Sequence, residues 1–66
     1  MKLKDILNHA IGFSRITARQ SGGVPIHFTA TDYRLNRPVP GMEDLACREV
    51  LYIEALGKNE LLIVVQ

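Results

Sequence analysis

The five consecutive apolar residues Leu61-Leu62-Ile63-Val64-Val65 constrain this chain more than any other stretch. Their β-branched content favours a strand, and side chains along a strand alternate between two faces. Leu61, Ile63 and Val65 therefore lie on one side, and Leu62 and Val64 on the other. The segment before them, 48–56, has the same character: Leu51, Ile53 and Ala55 oppose Val50, Tyr52 and Leu56. Gly57-Lys58-Asn59 turns between the two segments, so together they read as a hairpin. A hairpin that is apolar on both faces needs cover twice. A single helix can bury one face. The second must be covered by something else or stay open.

Length sharpens that problem. Sixty-six residues make one domain, 1–66, and a chain of this size buries only about 60% of the surface its unfolded form exposes. Disulfides often stabilise such small domains, but Cys47 is the only cysteine, so none forms within a monomer. A lone thiol fits a reducing compartment. The composition, 47% apolar and 23% charged, is that of a folding chain. No apolar run approaches the ~18 residues needed to span a bilayer. Asp5, Asn8 and His9 interrupt what would have to be the apolar part of a secretion signal. The expected location is cytoplasmic, with no membrane partner.

Upstream of the hairpin, Leu3, Ile6, Leu7, Ala10 and Ile11 recur at helical spacing, while Lys2, Lys4, Asp5, Asn8 and His9 fill the opposite face. This predicts a helix over 2–11, ended by Gly12. Segments 14–19 and 24–30 alternate as strands, with Ile16 and Ala18 sharing one face of the first and Val24, Ile26, Phe28 and Ala30 one face of the second. Ser21-Gly22-Gly23 permits the positive φ of a hairpin turn, and Pro25 suits a strand's beginning or a sheet edge. Residues 31–41 read as irregular, with Pro40-Gly41 a turn signal. One helical turn is expected over 42–46. The fold class that follows is α+β: an N-terminal helix packed on a small antiparallel sheet of about four strands, built as two hairpins. The inward set is then Leu3, Ile6, Leu7, Ala10 and Ile11 from the helix, Leu45 from the later turn, and Ile16, Val24, Ile26, Phe28, Ile53, Leu61, Ile63 and Val65 from the strands. Such a core leaves no room for a substantial ligand pocket.

Few residues invite chemistry. Nucleophilic catalysis by Cys47 would need a histidine base and an orienting group, and nothing in the spacing places His9 or His27 beside it. Cys47 reads instead as a small buried hydrophobe. The two histidines, Cys47 and the acids lack the paired spacing of a zinc site. Ser21-Gly22-Gly23 lacks the Lys and Ser/Thr of a phosphate loop. No catalytic residue, cofactor, metal or small-molecule substrate is expected. Charge is uneven. Net charge is +1 overall, but residues 1–40 carry six bases against two acids, and residues 41–66 carry two against five. Arg15, Arg19, Arg34 and Arg37 form a candidate basic surface for single-stranded nucleic acid, although such sites also need stacking aromatics, and only Tyr33 lies beside them. A solvated polar face is the simpler reading. Attraction between the two charged halves within the fold is the simpler account of the asymmetry.

The opening Met1-Lys2-Leu3-Lys4-Asp5-Ile6-Leu7, the Gly-turned hairpin ending near Ala30-Thr31-Asp32, Leu45, Arg48-Glu49-Val50, Ile53 and the closing Leu61-Leu62-Ile63-Val64-Val65 make an outline that resembles a group of small uncharacterised proteins carried by Gram-positive bacteria and their phages or prophages. The chain departs from that group in having Val64 where an acidic residue is common, and in its Pro-rich stretch 38–41. Such a resemblance implies an intracellular α+β domain and transfers no functional residue. The expected function is then a non-catalytic protein-interaction module, with a protein partner or a second copy of the chain (a homodimer) seated on Tyr52, Leu62 and Val64. A nucleic-acid-binding accessory protein is the alternative. The competing expectation for the outer face of the C-terminal hairpin is that residues 31–41 fold over it, with Tyr33 and Leu35 as the lid.

Overall fold

The alternation that begins at Arg15 produces β1 (Arg15–Gln20), in which Ile16 and Ala18 turn inward and are fully buried. A computed structural model describes residues 1–9, 15–35 and 37–66, with Arg34 placed by its backbone alone. The remaining elements are α1 (Leu3–Leu7), β2 (Ile26–Phe28), α2 (Ala30–Arg34), α3 (Met42–Ala46), β3 (Val50–Gly57) and β4 (Glu60–Val65). The Ala10 and Ile11 end of the expected first helix, its Gly12 cap, Phe13 and the Ser14 start of the expected strand lie outside the described residues.

The four strands form one sheet in the order β2-β1-β4-β3. Two hairpins are present as expected, β1 with β2 and β3 with β4, each antiparallel. They join through β1 and β4, and that central pair is parallel, in register from Arg15 opposite Glu60 to Gln20 opposite Val65. The sheet is therefore mixed, which corrects the expectation of an all-antiparallel sheet. The segment from Thr29 to Glu49, carrying α2 and α3, passes from the β2 edge to the β3 edge, the kind of long connection that strands running the same way require.

All three helices contribute to one core on one side of the sheet. It contains Leu3 and Leu7 of α1, Ala30 of α2, Met42 and Leu45 of α3, and the inward residues of β1, β2 and β4. α1 packs on α3, and α3 packs on β1. The N-terminus is tied to the start of β3. Met1 accepts from the Val50 N–H at 2.8 Å, the Leu3 N–H donates to Arg48 at 3.1 Å, and the terminal ammonium meets Glu49 at 2.8 Å.

Local chemistry explains the helices in the stretch expected to be irregular. Thr29 caps α2: its Oγ1 accepts from the Asp32 N–H at 3.0 Å, while the Asp32 carboxylate accepts from the Thr29 N–H at 3.2 Å. Gly41 precedes α3 with φ of 84°, a conformation that costs other residues dearly. Gly22 takes φ of 77° in the turn after β1, as its sequence suggested.

Three residues fall outside the expected core pattern. Val24 is 87% exposed, because β2 starts only at Ile26 and Val24 belongs to the loop before it. Ile53 pairs with the buried Ile63 and so shares its face, yet is 46% exposed, on the last strand of the sheet. Cys47, expected to be buried, is exposed just after α3.

Candidate functional site

The sheet face away from the helices is built from cross-strand rows. Glu60 and Arg15 begin it, 3.4 Å apart and both solvated. The next row runs Glu54, Leu62, Thr17, His27, with Thr17 Oγ1 and His27 Nδ1 at 3.0 Å. The third is Tyr52, Val64, Arg19. Here the Arg19 guanidinium donates to the Tyr52 hydroxyl at 3.4 Å and to the Gln20 carbonyl at 3.2 Å. Tyr52 and Arg19 are the neighbours of Val64 on its two sides, so their meeting closes over it, and Val64 is 1% exposed.

This arrangement answers the problem of the doubly apolar strand. β4 sits between two strands, and the long side chains of its neighbours cover its second face without another layer. Val64 points to the outer face as its alternation required, but it is buried there and offers almost no surface. Leu62 is half-buried and Tyr52 about half exposed. Among the described residues of 31–41, the expected lid does not form over this face either. Tyr33 and Val39 pack against the core on the helix side, and Leu35 is exposed.

Met1, Val24 and Leu35 are exposed singly, whereas four exposed apolar residues fall together along β3. Leu51, Tyr52, Ile53 and Leu56 are each about half exposed. β3 is the last strand of the sheet, and among the described residues only Met1 to Leu3 touch the backbone of its far edge, at Arg48 to Val50. The ladder is interrupted between Val50 and Tyr52 and between Ala55 and Gly57, which places Leu51 and Leu56 at irregularities. Of these four exposed residues, the sequence reading singled out Tyr52 alone. The signal was there: from Val50 to Gly57 the only charge is Glu54.

Among the described side chains of the candidate basic surface, Arg15, Arg19 and Arg37 each have a partner. Arg15 sits beside Glu60, and Arg37 beside Asp32 at 3.2 Å. Arg19 is turned to Tyr52, and the Arg34 side chain lies outside the described residues. The Asp32 carboxyl is held below its ordinary value by the Thr29 hydroxyl, the Thr29 N–H and Arg37, with burial opposing them. No three His, Cys, Asp or Glu side chains gather as metal ligands among the described residues. There, too, no helix is long and apolar enough to cross a membrane.

Comparison with family models, curated proteins and solved structures found no match.

Proposed function

We propose that the protein is a non-catalytic, self-associating protein-interaction module of the cytoplasm, whose contact surface is β3 and the sheet face beside it. One observation carries the reading: four large apolar side chains, Leu51, Tyr52, Ile53 and Leu56, are exposed close together along a single edge strand, Tyr52 on the outer face and Ile53 on the other. Scattered surface apolars are ordinary, whereas contiguous ones tend to mark contact sites. An exposed edge strand also presents unpaired backbone donors and acceptors to another chain.

Sedimentation of the chain over a range of concentrations, beside titration with a single-stranded oligonucleotide at low salt, tests the reading. A mass that rises above one chain with concentration supports it. A monomer that binds the oligonucleotide, with affinity falling steeply as salt is added, overturns it in favour of nucleic-acid binding through Arg15, Arg19, Arg34 and Arg37.

A further inference from the structure

Resting on that reading, we infer that two copies of the chain pair β3 to β3, antiparallel, about a two-fold axis at Ile53, so that the two four-stranded sheets become one sheet of eight. The available length of edge selects this geometry. Toward the N-terminal end, the Val50 N–H is already bonded to Met1 at 2.8 Å. Toward the other end, the ladder is irregular after Ala55 and the turn follows at Lys58 and Asn59. Among the described residues, the open stretch is Leu51 to Ala55, and Ile53 is its middle.

Register narrows the choice further. Residues directly opposite in an antiparallel pair share a face. With the axis at Ile53, Ile53 meets its own copy, and Tyr52 of one chain meets Glu54 of the other, twice. Ile53 shares the face of the buried Ile63, so the two Ile53 side chains extend the core layer across the junction. On the outer face, the Tyr52 hydroxyl already accepts from Arg19. Its own proton remains to be donated to the opposing Glu54 carboxylate, a charge-assisted bond. An axis at Glu54 would set two carboxylates against each other, which is unfavourable. An axis at Tyr52 would put Glu54 against Val50, whose edge is occupied by Met1. An axis at Ala55 would run the pairing into the turn. β3 carries no Lys or Pro, the residues that most often block such pairing.

The test uses the full chain. Ile53→Lys places a charge at the axis on a half-exposed side chain, so the monomer keeps its circular dichroism while dimer affinity falls by about tenfold or more. Register is read by cysteine crosslinking in a Cys47→Ser background. Ile53→Cys alone should oxidise to a covalent dimer, Glu54→Cys alone should not, and Glu54→Cys mixed with Tyr52→Cys should crosslink as a heterodimer. A dimer that is insensitive to Ile53→Lys, or one that crosslinks only through Leu62→Cys, overturns edge pairing and leaves the interaction module standing. A chain that stays monomeric at its highest soluble concentration overturns both.

Discussion

At the scale of single residues, Leu7 and the Thr29–Asp32 pair show how much rests on individual contacts. Leu7 is 1% exposed in the core beneath α1. Leu7→Ala should lower stability by about 2–4 kcal/mol, the usual range for a buried leucine, read as a shifted urea midpoint. Thr29 accepts from the first turn of α2, at the Asp32 N–H, through a bond that alanine cannot make, and Thr29→Ala should cost about 1 kcal/mol. Asp32 adds a pH dependence. Its folded-state pKa lies below the ordinary 3.8. Its contribution is therefore complete above that value and is lost as pH falls through the lower, folded one. Urea midpoints should fall on acidification below pH 3.8, and Asp32→Asn should remove part of that fall while lowering the midpoint at neutral pH.

Among the elements, β4 differs from its neighbours in being apolar on both sides and covered on both, by helices on one and by the Arg19–Tyr52 meeting on the other. The two outer-face residues of β4 then have different roles. Val64→Thr puts a hydroxyl under Arg19 and Tyr52 in place of a methyl, and should cost about 1–3 kcal/mol if it finds no partner there. Leu62→Thr alters a half-buried site and should cost less. Denaturation of the two single variants checks this order, and an equal loss would mean that Val64 is not covered as described. Surface ion pairs such as Arg15–Glu60 and Arg48–Asp44 are solvated and contribute little.

For the whole molecule, stability is unevenly distributed. β1 and β4 are paired on both edges, and their inward residues fill the core. β3 is paired on one edge and exposed along nearly its whole length. Amide hydrogen exchange should therefore be slowest for residues 16–18 and 61–65, and fast along 51–56 in dilute solution. If β3 pairs with a second copy, exchange within 51–55 should slow as concentration rises while the β1–β4 rates stay the same. Exchange rates along β3 that do not respond to concentration would count against pairing at that edge.

What the sequence determined by itself is local. Period-two alternation located β1, β3 and β4 and told which side chains share a face in β1 and β4. In β3 the irregularity between Val50 and Tyr52 sets Val50 opposite Val65 and Tyr52 opposite Val64, so these two do not share the face that simple alternation gave them. Gly22 marked its turn, and the short helix at Met42–Ala46 was legible after Pro40-Gly41. The capping box at Thr29 and Asp32 was also written in the sequence, although residues 31–41 read as irregular because the prolines around it dominate the pattern. Alternation says which way a side chain points, not what lies there. Only the tertiary structure decided that β4 runs beside β1 in parallel, and that single pairing settles the rest. It puts Val64 between Arg19 and Tyr52 and buries it. It pushes β3 to the edge, so Ile53 faces the core side and still meets water. The core that the described helices share with β1, β2 and β4 takes in Val50 at the start of β3, and the rest of that strand stays open because it is paired on one side alone.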